Sequence, residues 1–569
     1  MSLEPPRTSP AYVSFRFAGW LVASLIAIPS VAPGDEPVHF ADEPGEPDTG
    51  AASIGASPET LAEPRRDPPA RYLLDRADAC EASFCMPGRW VFQYGRSSTF
   101  KLDASGHESS VEHVGRQLLR VHPRLDLKTD VGRVIIEAEA DLLTGRTFGD
   151  LNTVATDALY DPDDRLDAWA DPDPGDYRQF VVRWETPFFQ LKLGQQASRW
   201  GLGLIANDGQ DDPHDVFDVA THGDLVERVL VATAPFGLLG EKWQRLLLGG
   251  GFDVVYRDEN ATLTDGDLAL QGVVSLIWRD VPEPSSPRRW GLTAGLYVAI
   301  RDQEDDDGDT LNVRAYDLFA KFEHRLPKKH LRLYLAGEIA LLEGRTSRAR
   351  LEQAPEGLDV LGLGFSLQGR VELEKLGVET RLEVGYASGD NDRNDGTSRG
   401  FKFDPDYHVG MVLFQEVLAR ISARSIENAR DPGLVAEPAK GLELIATDGS
   451  VTNAVYVNPI LRYTNDATGL GGDLGVLAAW SDAAFSDAYQ TSKNGGYNTS
   501  YLGVPSDSHY LGTEVDVGLR YEYAIGDRVW LKALVQGGLF VAGKAFKDSE
   551  GADGIGVVSK VRASVELGW

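Results

Sequence analysis

Lys560-Val-Arg-Ala-Ser-Val-Glu-Leu-Gly-Trp569 alternates without a slip. Val561, Ala563, Val565, Leu567 and Trp569 share one parity, and Lys560, Arg562, Ser564, Glu566 and Gly568 the other. Successive side chains of a strand point to opposite sides, so this run has one apolar and one polar face. Residues 514–523 repeat the pattern, with Val515, Val517, Leu519, Tyr521 and Tyr523 against Glu514, Asp516, Gly518, Arg520 and Glu522. Residues 289–301 do so again, with Trp290, Leu292, Ala294, Leu296, Val298 and Ile300 on the apolar side. Such runs outlast the ordinary globular strand of about five or six residues. They suit tilted strands that cross a bilayer.

Working outward, eighteen runs of this kind begin near residues 88, 116, 131, 177, 189, 226, 241, 266, 288, 310, 330, 356, 374, 451, 469, 509, 528 and 557. The alternation slips near 226, 310 and 356, and Leu246-Leu-Leu-Gly-Gly-Gly251 reads as a kink or bulge. Between the runs, short gaps alternate with long ones. The short gaps are 129–130, 186–188, 234–240, 281–287, 326–329, 372–375, 466–468 and 524–527. The long gaps are 101–115, 144–176, 201–225, 257–265, 303–309, 345–355, 389–450, 482–508 and 542–556. A soluble sandwich has no reason for this order. A membrane barrel does, with tight turns on its periplasmic rim and long loops outside. Closure is required too, because an open edge would leave backbone amides unpaired in lipid. The predicted fold is all-β: a transmembrane antiparallel up-and-down β-barrel of about eighteen strands over residues 88–569, with a long insertion at 389–450.

Composition narrows the function. The chain has 569 residues, 56 basic against 87 acidic, and a net charge of −31. A polyanion such as nucleic acid would be repelled. Two cysteines exclude a disulfide scaffold and a multi-cysteine metal centre. A mean hydropathy of −0.25 excludes a helical membrane bundle but fits a barrel whose two faces average out. The acids concentrate in gaps assigned to the outer rim. Gap 144–176 holds nine aspartates and two arginines, and gap 201–225 six aspartates with no lysine or arginine. Trp90, Trp184, Trp200, Trp243, Trp278, Trp290, Trp480, Trp530 and Trp569 fall inside or at the ends of the runs, where interfacial aromatic girdles belong.

Residues 1–32 read as a secretory signal: Arg7 and Arg16, an apolar run from Phe17 to Ile28, then Ser30-Val31-Ala32 before the cut. A short membrane anchor is the alternative. Residues 33–87 are a Pro- and acid-rich periplasmic tether ending in Cys80 and Cys85, which form a small disulfide loop or stay as free thiols.

Three stretches carry a family likeness. They are Trp184-Glu-Thr-Pro-Phe-Phe-Gln-Leu-Lys-Leu-Gly-Gln-Gln-Ala-Ser-Arg-Trp-Gly-Leu-Gly203, Gly385-Tyr-Ala-Ser-Gly-Asp-Asn-Asp392 and Leu511-Gly-Thr-Glu-Val-Asp-Val-Gly-Leu-Arg-Tyr521. They resemble the large Gram-negative porins of the alginate-export type, and the terminal aromatic Trp569 resembles the signal read by the barrel-assembly machinery. The resemblance implies the cell outer membrane, an eighteen-strand barrel with loops constricting the pore, and lipid and lipopolysaccharide as surroundings. The family's alginate exporters have an arginine-rich lumen, from which this sequence departs.

If apolar faces meet lipid, the alternate faces line the lumen. The pore-lining candidates are the bases Arg120, Arg124, Arg183, Lys192, Arg332, Arg370, Arg381, Arg520 and Lys532 and the acids Glu137, Glu139, Glu383, Glu514 and Asp516. Over all inward positions the two signs nearly balance. Neighbours such as Arg381/Glu383 and Arg520/Glu522 read as salt-bridged walls around water, favouring hydrated, dipolar or sugar-like solutes. Inside the insertion, Tyr407–Arg424 has apolar residues at 409, 412, 413, 417, 418 and 421, spaced for a helix that folds into the mouth as a gate.

Other chemistry has weak footing. Asp305-Asp-Asp-Gly-Asp309 and Asp390-Asn-Asp-Arg-Asn-Asp395 are acidic, but the second lacks the glycine and closing glutamate of a helix-loop-helix calcium site. Both read as solvated charge, with loose divalent binding as the alternative. His214 and His222 among Asp211, Asp212 and Asp215 are loop residues before they are ligands. Glu137/Glu139 has the spacing of paired carboxylates without a pocket. There is no His-Glu-x-x-His zinc motif. The reading is therefore a passive or weakly selective porin for hydrophilic solutes, with no catalytic residue, metal or cofactor. A surface adhesin or structural barrel with a blocked lumen is the first alternative, and a secreted soluble β-rich carbohydrate-active enzyme the second.

Overall fold

The computed structural model describes residues 83–109, 113–150, 176–210, 216–217, 223–281, 288–393, 395–436, 438, 440–505, 507–526, 528–547 and 554–569. The expected signal and most of the expected tether, Cys80, and the histidines and aspartates at 211–215 and 218–222 lie outside these residues. Cys85 is disulfide-bonded.

One sheet of 21 segments runs through the molecule. Two of these, Phe84–Cys85 and Thr397–Ser398, are short bridges, and two more are halves of one strand broken at His122-Pro123. The remaining ring has 18 strands. They are β1 (Gly88–Ser97), β2 (His113–Val121 with Arg124–Thr129), β3 (Gly132–Gly149), β4 (Asp176–Glu185), β5 (Phe189–Ala197) and β6 (Leu225–Thr233). Next come β7 (Leu246–Arg257), β8 (Leu268–Asp280), β9 (Trp290–Glu304), β10 (Thr310–Leu326), β11 (Leu331–Thr346) and β12 (Leu358–Leu373). The last are β13 (Val378–Ala387), β14 (Ala454–Asn465), β15 (Leu470–Trp480), β16 (Tyr510–Ala524), β17 (Trp530–Ala542) and β18 (Val557–Gly568). Each pairs antiparallel with its neighbours in sequence, and β1 closes the ring on β18, Arg89 opposite Gly568 through Ser97 opposite Lys560. The seam is tied off at Trp569, whose N–H and C=O each bond Gly88 at 3.0 Å. Gly88 has to be glycine there, since a Cβ would stand 2.5 Å from the Trp569 ring.

The alternation turns apolar side chains outward. Val561 and Val565 are exposed while Arg562 and Glu566 are buried. On β16, Val517 and Leu519 are 52% and 71% exposed, whereas Glu514 and Asp516 are 0% and 1%. This inverts the soluble pattern, in which the apolar face is the hidden one.

One rim carries the connections 130–131, 186–188, 234–245, 281–289, 327–330, 374–377, 466–469 and 525–529. The other carries nine connections, the longest being 388–453. Two lengths depart from expectation. The β9–β10 connection is only 305–309, because strands of 15 and 17 residues carry the ladder further out than expected. It closes as a hairpin with Gly308 at φ 81°. On the short rim, 234–245 is lengthened by 3-10 turns at Gly237–Leu239 and Glu241–Arg245. β3 also runs past its expected end at 143 to Gly149, paired to β2 through two register shifts.

Candidate functional site

Two of the long connections fold into the barrel. The first follows β5. Trp200 stacks on Tyr297 of β9 with centroids 5.0 Å apart, and its Nε1–H donates to Asp317 of β10 at 2.7 Å. The backbone N–H groups of Leu202 and Leu204 donate to the Glu338 carboxylate of β11. Gly201 makes this approach possible: its φ is +57° and a Cβ would lie 2.2 Å from Glu338 Oε2. Val216 and Phe217 lie against other strands of the ring. Gln536 of β17 donates to the Val216 carbonyl and Arg562 of β18 to that of Phe217, at 2.7 Å for the latter. The Phe217 ring presses on Gly475 of β15, where a Cβ would sit 2.8 Å from it. Trp200–Leu204 thus dock on β9–β11 and Val216–Phe217 on β15, β17 and β18, two separate parts of the inner wall.

The second segment is 388–453. Instead of one helix over Tyr407–Arg424, a π-helical turn at Leu413–Leu418 runs into α1, Ala419–Arg430. The apolar residues expected on its inner face, Val409, Val412, Leu413, Val417, Leu418 and Ile421, are all buried, in one cluster with Phe401, Phe403, Tyr456, Leu477 and Phe540. Its start is held by Glu514, whose carboxylate accepts the N–H groups of Met411, Val412 and Leu413, the last two at 2.8 and 2.7 Å. A buried carboxylate facing three N–H donors at a helix start combines charge-assisted hydrogen bonds with the helix dipole. Tyr407 is fixed as well, its hydroxyl donating to Glu383 at 2.7 Å beside Ser366 and Gln368. Burial would raise the Glu416 carboxyl, but Lys560 and Arg420 override it and hold it at about 2. Further out, Arg424 of α1 binds Asp103 of the β1–β2 connection at 2.8 Å. Burial opposes ionisation of Asp103, but Ser105, Arg424 and the His107 N–H keep its pKa well below the usual carboxylate range.

The segments meet. Asp404 N–H donates to the Leu204 carbonyl at 2.9 Å, and Gly223 N–H to Asp406 at 2.5 Å.

The inward candidates fall into three groups. Arg120, Arg124, Glu137, Glu139 and Arg183 form a network on β2–β4. Arg120 binds Asp141 with two bonds of 2.6 and 2.9 Å, Arg183 binds Glu137 at 2.7 Å, Arg124 lies 3.6 Å from Glu137, and Glu139 accepts from Arg178 at 2.8 Å. Lys192 stands opposite Arg183 across β4–β5. Elsewhere on the wall, Arg332 binds Glu374 at 2.7 Å, Arg370 lies over the Tyr334 ring at 4.3 Å, Arg520 contacts Asp473 and Glu522, and Lys532 is 3.9 Å from Glu566. Arg381 pairs with Glu383 at 2.5 Å. Glu383, Glu514 and Asp516 point inward beneath the second insertion, where Glu383 accepts from Tyr407 and Glu514 from the Met411–Leu413 amides.

Glu338 is one of the inward acids expected from the alternation; Asp317 and the trio Asp224, Glu259 and Asp404 are not. Periodicity says that Glu338 faces inward, not that it meets a loop. The trio sits on irregular backbone where periodicity says nothing. The signal that was available is Arg199-Trp-Gly-Leu-Gly203, whose two glycines beside a tryptophan mark a close backbone approach. Gly396-Thr-Ser-Arg-Gly400 has Gly-x-Ser-x-Gly spacing. Thr397 and Ser398 form a short parallel bridge to Asp359 and Val360, not the strand-to-helix turn that a nucleophile elbow requires. Nor is the acidic hairpin simply solvated, because Asp309 is ion-paired with Arg350 and Lys440, and Asp305 lies 3.5 Å from Arg348.

No family model and no curated protein matches the chain. Solved structures do. OprD of Pseudomonas aeruginosa, an outer-membrane protein, aligns at 12% identity and TM-score 0.44 over 85% of this chain and 93% of its own. OpdQ of the same organism aligns at 9% and 0.44, over 85% and 98%. OccAB1 of Acinetobacter baumannii aligns at 8% and 0.43, over 85% and 96%. At this level of similarity nothing about solute or mechanism carries over.

Proposed function

We propose that this chain is an outer-membrane channel that lets small hydrophilic solutes diffuse through a barrel narrowed by its two inserted segments. The observation that carries this reading is the outward apolar belt around an inward lining of paired charges. Leaving a large apolar side chain in water forgoes about 1.5–3 kcal/mol. The half-exposed Val517, Leu519, Leu335, Ile339, Leu367, Leu382, Val535 and Leu539 alone would forgo about as much as the ~5–15 kcal/mol net stability of a typical fold. Hydrocarbon outside removes that penalty, and ring closure leaves no unpaired edge to it. The long-loop rim then faces outward and the short-turn rim the periplasm.

The inner wall offers ion pairs in place of a one-sign field. Such a wall suits dipolar or sugar-like solutes and gives weak ion selectivity, shifted toward cations by an acidic mouth. A polyuronate exporter needs an excess of free inward arginine. Here Arg120, Arg183, Arg381 and Arg520 each face a carboxylate, so alginate itself is disfavoured. Liposome swelling with sugars of graded size tests the reading. Entry of monosaccharides with a sharp size cut-off supports it. No entry of any sugar, with protein inserted, would leave the sealed barrel of an adhesin. In asymmetric salt the reversal potential is expected to be small and cation-directed, and a strong anion preference would revive the polyuronate.

A further inference from the structure

Three carboxylates converge where the inserted segments meet. Asp224 lies just before β6, Glu259 just after β7, and Asp404 in the long insertion; each offers an oxygen within 4.8 Å of the other two. Asp224 and Asp404 are buried, and Glu259 is half-buried. Acidic clusters are common on loops, but this one is hidden and has an unanswered oxygen. Asp404 is 3% exposed; its Oδ1 accepts the Asp406 N–H at 2.8 Å, while its Oδ2 is buried with no hydrogen-bond donor. The bases that act on Glu259 are engaged elsewhere: Arg301 on Asp258, and Lys402 on the Ala446 carbonyl and near Asp448.

We propose that Asp224, Glu259 and Asp404 bind one calcium ion, which ties both inserted segments to the loop after β7. All donors are hard oxygens, which selects calcium or magnesium over softer metals. Separations within 4.8 Å admit either ion, but carboxylates carried on three irregular loop positions suit calcium's flexible coordination better than the near-ideal octahedron magnesium demands. The half-exposed Glu259 leaves a side open for water ligands and entry. The backbone already holds the geometry: Asp224 accepts the Asn207 N–H at 3.3 Å, and Asp404 bonds Leu204. The ion would therefore lock the constriction. On the outward rim of the channel proposed above it would meet external calcium, for which millimolar-range sites suffice.

The test is calorimetric titration of calcium into the full-length chain, stripped of metal and held in detergent. Saturable uptake near one ion per chain, competed only weakly by magnesium, is expected. Asp404→Asn and, separately, Glu259→Gln should each weaken it at least about tenfold. Asp306→Asn on the β9–β10 hairpin should leave it unchanged. Far-UV circular dichroism checks that each variant keeps its strand content; Glu259, on a loop and half-exposed, keeps the test valid if Asp404→Asn does not fold. No uptake by the unaltered chain would overturn the proposal and leave a proton shared between Asp224 and Asp404. Uptake that both variants leave intact would overturn it too. The readout involves no flux, so calcium binding by a barrel that conducts nothing would sink the channel and leave this site standing.

Discussion

Glu514 shows most clearly what one side chain contributes. It sits on an apolar/polar alternating strand like any wall carboxylate, yet it is fully buried beneath three amide donors. Removing a buried acceptor leaves those N–H groups unsatisfied at about 1–3 kcal/mol each. Glu514→Leu should therefore undock the insertion at its π-helical start while the ring persists. Hydrogen exchange is expected to rise over Met411–Leu418 and not over β15–β17; unchanged protection at Met411–Leu413 would contradict the cap. Gly201 makes the matching prediction for the other segment, where Gly201→Ala pushes a methyl into the Glu338 carboxylate and strains a positive φ. The expected result is freer loop 198–210 in limited proteolysis. Acid gives a third residue-scale check. The folded pKa values of Asp103 and Glu416 are depressed, so their stabilisation is complete above the unfolded carboxylate range of ~3.9–4.3 and declines as pH falls toward the folded values, about 2 for Glu416. Protection of α1, corrected for intrinsic rates, should hold from pH 7 to about pH 5 and begin to drop only below ~4. A loss centred near neutrality would mean that the Arg424–Asp103 and Lys560–Glu416 clasps do not hold it.

At the scale of elements, strands were legible and their partners inside the barrel were not. β9, β16 and β18 are readable because 289–301, 514–523 and 560–569 each keep period two without a slip. The end of β3 was missed because Thr144–Phe148 has no apolar alternation and joins β2 only across register shifts. Gap 303–309 reads as a long acidic loop because Gln303 and Glu304 resemble loop residues, although they pair with Leu311 and Thr310 and leave only 305–309 as the hairpin. The apolar spacing of 409–421 was readable as a helix. Its docking was not, since a wall glutamate looks the same in sequence whether it meets water or N–H groups. For the proposed channel, the insertion is the element whose removal is decisive. Replacing 405–440 by a short Gly-Ser linker should raise single-channel conductance several-fold in planar bilayers, and an unchanged conductance would show that this segment does not narrow the path.

For the whole molecule, the claim on which the rest depends is solvent inversion: hydrocarbon outside, water and packed polypeptide within. Ring closure at Gly88–Trp569, the outward valines and leucines, and the two unequal rims are consequences of it. It also separates the tryptophans. Trp290 and Trp480 are about 40% exposed on the outside of the ring, whereas Trp200 is 5% exposed and turned into it. The most direct test is fluorescence of single-tryptophan variants reconstituted in vesicles of phospholipid brominated along the acyl chain. Strong quenching of Trp290 and Trp480 with Trp200 spared is the predicted result; equal sparing of all three, with the protein monodisperse in detergent-free buffer, would contradict a membrane barrel.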